Sequence, residues 1–159
     1  MTLRTLLLRP DSDGYGSSDG AEWVRSELDG GVGRYRRDKI GASKMVSCRW
    51  TLNPSQYQYW RSFYRLVGGD RFLCDLVGES GLGPIQHECH FMPGSVSLAS
   101  QQGLTYIQQA QLEVKPIIIP AEFDEAVLVL YATTGGLPDS FLADLAELAT
   151  ITIPDSFSA

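Results

Sequence analysis

Residues 44–77, KMVSCRWTLNPSQYQYWRSFYRLVGGDRFLCDLV, read as strand, helix and strand in direct succession. In Lys44–Leu52 the side chains of Val46, Cys48, Trp50 and Leu52 point one way, and Ser47, Arg49 and Thr51 point the other. That period of two belongs to a half-buried strand. Asn53-Pro54-Ser55-Gln56 then supplies an N-cap, a proline at the first helical position and a glutamine three residues after the cap. The helix predicted over Pro54–Val67 gathers Tyr57, Trp60, Phe63, Tyr64 and Val67 on one side, with Gln58, Arg61, Ser62 and Arg65 left over for solvent. Gly68-Gly69 ends it, since glycine reaches positive φ without steric cost. Arg71–Val77 alternates again, with Phe72, Cys74 and Leu76 on one face. The unit is βαβ-like, but it has no glycine-rich phosphate loop and so no nucleotide fingerprint.

Outward from this unit the chain is mostly β. Thr2–Leu8 reads as an opening strand, apolar on both sides and therefore central or covered. Pro10–Gly33 is a long polar connection rich in Asp, Ser and Gly, of the length that in a compact domain serves a function or reaches a neighbour. Within it Ala21–Leu28 fits a short helical turn capped by Asp19, with Trp23, Val24 and Leu28 as its apolar side. After a Gly-rich turn at Glu79–Pro84, strands are predicted at Ile85–Met92, Ser95–Ser100 and Leu104–Lys115. The last of these places Leu104, Tyr106, Ala110, Leu112 and Val114 on one face. Pro116 and Pro120 bracket Ile117–Ile119 and mark a boundary. Beyond it Glu122–Ala132 and Asp139–Ala149 read as helices, and Ile151–Ala159 as an extended tail. The chain therefore reads as a β-rich α+β body with one helix, residues 1–116, followed by a small helical arm over 117–159.

At 159 residues one core is expected, and a content of 43% hydrophobic and 20% charged residues argues against wholesale disorder. No apolar run is long enough to span a membrane. Leu3–Leu8 is too short for a signal-peptide core, so a cytosolically made protein is expected. There Cys48, Cys74 and Cys89, an odd count with two members on predicted core faces, remain thiols. A formal net charge of −6 disfavours wrapping nucleic acid through its phosphates.

Arg34, Arg36, Arg37 and Lys39 fall within six residues. Such a cluster serves as a solvated strand edge, as an ion-pair belt between subunits facing acids such as Asp11, Asp13 and Asp19, or as a nucleic-acid contact. His87-Glu88-Cys89-His90 puts His87 and Cys89 on one strand face, two ligands towards a zinc site that needs four; the plainer reading keeps Cys89 inside and both histidines at a surface or an interface. No G-x-S-x-G elbow occurs, and Asp70, Asp75 and Glu79 read as rim charges. No active site and no cofactor is expected. Trp50, Tyr57, Trp60, Phe63, Tyr64 and Phe72 are assigned to the core.

The run Val46-Ser47-Cys48-Arg49-Trp50-Thr51-Leu52, followed by Gln56, Tyr57, Trp60, Phe63 and Tyr64 and then Gly69, Arg71, Phe72 and Leu73, resembles the minor tail and tail-tube-fold proteins of long-tailed bacteriophages, including distal-tail-type ring proteins. The resemblance covers residues 34–116 and rests on packing residues. It implies an antiparallel β-sandwich or barrel flanked by one helix, in a virion structural protein that forms a homo-oligomeric ring with other tail proteins, located in the tail, with DNA passing through without specific binding. The loop Asp11–Gly20 and the arm after Pro120 depart from the pattern. An assembly factor left out of the virion, or a small metal-binding module using His87 and Cys89, are the alternatives.

Overall fold

A computed structural model describes residues 3–27, 30–77 and 83–141, together with 143, 144 and 147. The strands are β1 (Arg4–Leu6), β2 (Gly16–Ser18), β3 (Trp23–Ser26), β4 (Arg34–Arg37), β5 (Lys44–Leu52), β6 (Phe72–Val77), β7 (Pro84–Phe91), β8 (Ser97–Gln102) and β9 (Thr105–Val114). Helix α1 spans Pro54–Val67 and α2 spans Ala121–Thr134. Seven strands form one mixed sheet in the order β1-β6-β7-β9-β5-β2, with β8 beside β9, and β3 and β4 form a separate two-stranded ribbon.

The 44–77 stretch folds as its pattern predicts. Asn53 and Gln56 close a reciprocal capping box, at 2.9 and 3.0 Å, and Gly68 leaves the helix with φ 55°. Burial along β5 alternates strictly, bringing Val46, Cys48, Trp50 and Leu52 inside. The βαβ-like reading, however, is corrected by the topology: β9 and β7 lie between β5 and β6, which run antiparallel to one another. Helix α1 is thus a cover over the sheet and not a crossover between neighbours.

Strand β9 organises the ladder. It pairs along nearly its whole length with β5 on one side. On the other side it pairs with β7 near its C-terminal end and with β8 near its start. The sheet curls until its outer strands approach. Trp50 Nε1 donates to the Leu8 carbonyl at 3.2 Å, Asp11 N to the Arg49 carbonyl at 2.7 Å and the Tyr15 hydroxyl to the Val77 carbonyl at 2.9 Å. Among the described residues the ladder does not close into a barrel, and β1 and β2 stand at the ends of its path. Not every pair is antiparallel: β1 runs parallel to β6.

The core lies between the inner face of this sheet and α1. Trp60 is 0% exposed; its ring stands 5.7 Å from Trp50, 5.8 Å from Phe91 and 5.7 Å from Tyr64. Phe63 meets Phe72 edge-on at 5.5 Å, and Tyr57, half-buried, stacks on Tyr106 at 4.4 Å. All six expected core aromatics are therefore in or against the core.

Four further expectations are corrected. Ala21–Leu28 is not helical: Trp23–Ser26 is strand β3, paired with β4 (Leu28 is outside the described residues). The opening strand is short and sits at an edge, not at the centre; only its inner side is covered, where Leu6 is buried in the core while Arg4 is exposed. Leu104 belongs to the turn before β9 and is exposed, whereas Gln108 occupies the inward register opposite Trp50. His87 is not at the surface but buried. The turn expected at Glu79–Pro84 and the helix expected over Asp139–Ala149 lie only partly within the described residues, and the 151–159 tail lies outside them.

Gln108 is 1% exposed, and both polar atoms of its side chain are without a hydrogen-bond partner among the described residues. A buried amide in that state costs about 1–3 kcal/mol. Gln108→Met, which keeps the length and removes the amide, is expected to raise the urea midpoint by the equivalent of about 1 kcal/mol with an unchanged m value. A fall in the midpoint would show that the amide is satisfied in solution.

Candidate interaction surfaces

The acids of the 10–20 loop are held by their own chain. Asp11 accepts from Thr51 Oγ1 at 2.6 Å, Asp13 pairs with Arg49 at 3.0 Å and Asp19 with Lys44 at 3.1 Å. Two of the partners, Arg49 and Thr51, are residues whose alternation turns them away from the core of β5, so the loop is pinned along that strand.

The basic cluster is placed differently. Arg34, Arg36 and Arg37 make up most of β4, every residue of which is exposed, and Lys39 follows it, also exposed. The β3–β4 register pairs Trp23 with Arg37 and Arg25 with Tyr35, so these four share one face, while Val24, Ser26, Arg34 and Arg36 share the other. The Arg37 guanidinium lies 5.6 Å from the Trp23 ring centre. A two-stranded ribbon with both faces in water gains little from burial.

The stem of the ribbon is clamped through Glu22. Its Oε2 accepts from Arg37 at 2.9 Å, and its Oε1 from the Gly41 and Ala42 amides at 2.9 and 3.3 Å. The Arg37 hydrogen bond, then the two amides, holds this carboxyl below the usual carboxylate range. Because the folded value is lowered, the clamp contributes above the unfolded carboxylate pKa and is lost as pH falls through the folded one. Gly20 packs here with no room for a side chain, since a Cβ would stand 2.5 Å from the Ser43 carbonyl.

A groove of about 440 Å³ runs between this stem, the Pro116–Ile119 segment and the start of α2. Its charged walls are largely engaged with one another, Glu22 with Arg37 and Asp19 with Lys44, and its remaining lining includes Trp23, Ile40 and Ile118.

Inside the body, His87 and Cys89 both face the core as alternate residues of β7, and Cys74 stands opposite His87 across the ladder. Among the described residues no group of three His, Cys, Asp or Glu side chains is arranged to hold a metal. His90 faces outward, with Nδ1 3.2 Å from the Gly69 carbonyl. Glu88, one residue away, was given no role in the sequence reading. Its side chain is 3% exposed, with Arg71 at 3.1 Å and Lys115 at 3.6 Å. The helix α2 was foreseen, but not its setting: none of its residues is buried. No helix among the described residues is long and apolar enough to cross a membrane.

No protein-family model matches this chain, and no curated protein matches it.

All three cysteines are buried thiols. Burial pushes Cys48 up to about 12 and raises Cys74 and Cys89 further. Native protein at about pH 8 is expected to resist thiol labelling until denaturant exposes the cysteines. The folded values are raised, so this contribution to stability is complete below the unfolded thiol pKa of about 8.5 and is lost progressively as pH rises above it. A pH titration of the urea midpoint checks this. Rapid labelling of the native state, or a midpoint that climbs above that pH, would contradict it.

Proposed function

We propose that this chain is a structural ring subunit of a bacteriophage tail or tail tip, self-assembling around a DNA channel and performing no catalysis. In this reading residues 1–116 are the body, the curled sheet is the wall of a sandwich or barrel flanked by α1, and 117–159 form an arm. The supporting observation is a division of labour in burial. The body fills its own core with Trp50, Trp60, Phe72 and Leu112, while the β3–β4 ribbon and α2 are left uncovered by the chain that carries them. Apolar surface projecting in this way marks a contact with another protein. Made in the host cytoplasm, the subunit joins copies of itself and other tail proteins in the virion.

Purified protein examined by sedimentation and by electron microscopy is expected to form closed rings as concentration rises, and mass spectrometry is expected to find the chain in purified particles. A protein that stays monomeric at high concentration and is missing from particles overturns the proposal. Rings formed in solution by a chain missing from particles would favour an assembly factor instead.

A further inference from the structure

Lys115 is the last of the 13 Lys and Arg residues, yet seven of the 19 Asp and Glu residues come after it. Residues 1–115 therefore carry 13 cations against 12 acids, a net of +1, and the arm carries −7; together these give the whole charge of −6. The acidity of this protein is thus a property of the arm and not of its body.

The described part of the arm is dominated by α2. Phe123, Val127 and Leu130 form its half-buried side, where Phe123 stacks on Phe141 at 4.9 Å. The other side is exposed: Asp124 and Glu125 in the N-terminal half, then Leu128 (71% exposed), Val129 (64%) and Tyr131 (60%). A helix apolar on more than one side belongs in a buried setting. Its own body does not provide one: among the described residues α2 makes no substantial packing with any strand of the sheet. Asp124 and Arg37 border the same groove, yet no ion pair joins them. Prolines at both ends of the 116–120 linker favour an extended, stiff path between the sheet and α2.

The ribbon offers the complementary surface. Trp23 is 58% and Tyr35 65% exposed, and they share their face with Arg25 and Arg37. Aromatic and arginine side chains are the residue types that dominate binding energy at protein interfaces. Acids beside aliphatic groups on one element meet arginines beside aromatic rings on the other.

We propose that α2 of one copy docks, through Asp124, Glu125, Leu128, Val129 and Tyr131, onto the Trp23–Arg25–Tyr35–Arg37 face of the ribbon in a neighbouring copy. This rests on the ring reading and specifies its contact. The two patches are different surfaces of the same chain, so the contact is heterologous: it runs head to tail and closes a ring when the rotation per subunit allows.

Two full-length variants test it. Arg25→Glu/Tyr35→Ser disables the ribbon face, and Asp124→Lys/Tyr131→Ser disables the arm. All four residues are exposed, so circular dichroism and melting temperature should stay at the wild-type values. In sedimentation velocity each variant alone is expected to associate at least about tenfold more weakly than wild type. Mixed together, the two retain one competent contact and should give a 1:1 heterodimer that grows no further. Folded variants that assemble like wild type, or a mixture that stays monomeric, overturn the docking while wild-type rings still support the tail reading. Wild-type protein that never associates overturns the docking, and if it is also missing from particles it overturns both.

Discussion

The structure depends on how one aromatic helix seats against a curled sheet. Trp60 meets Trp50 from β5, Phe91 from β7 and Tyr64 from its own helix, while Phe63 meets Phe72 from β6. Strands distant along the sheet path are thereby brought against a single helix face. Rings of this size bury large apolar areas and add edge-to-face contacts worth about 0.5–1.5 kcal/mol each beyond that burial. Capping at Asn53 and the break at Gly68 set where α1 starts and stops, and so which turn presents Trp60.

The same packing constrains function. A core closed by indole and phenyl rings leaves the inside of the sheet as structure, and the polar groups that do enter it are few: His87, at the β6–β7 ladder, and Gln108, opposite Trp50. Surface chemistry is displaced to elements outside the core. The loop acids are tied to Lys44, Arg49 and Thr51 of β5, whereas the β4 cations and the exposed side of α2 project. The molecule thus separates a self-sufficient body from two extensions whose own burial is incomplete.

The local part of this was readable from residue order. Alternation in Lys44–Leu52 and the Asn53-Pro54-Ser55-Gln56 start specify strand and helix through short-range chemistry, and the observed bounds agree. Pairing order was not readable, because β1 joining β6 and β9 lying between β5 and β7 depend on contacts far apart along the chain. Trp23, Val24 and Leu28 suggested a helical side, but β-branched and aromatic residues followed by Gly30-Gly31-Val32-Gly33 serve a hairpin equally well, and the β4 partner decided the matter. Of the surfaces, exposure of Arg34, Arg36, Arg37 and Lys39 followed from their charge. That Asp11, Asp13 and Asp19 would be held by Thr51, Arg49 and Lys44 required the fold.

Hydrogen exchange on the full chain, dilute and then concentrated, addresses the division between body and extensions most directly. The account predicts slow exchange in α1, β5, β7 and β9 under both conditions. It predicts rapid exchange in β3, β4 and α2 when dilute, with protection gained as copies associate. Equal protection of α2 and the ribbon in the dilute monomer would contradict it, because those elements would then be buried by their own chain.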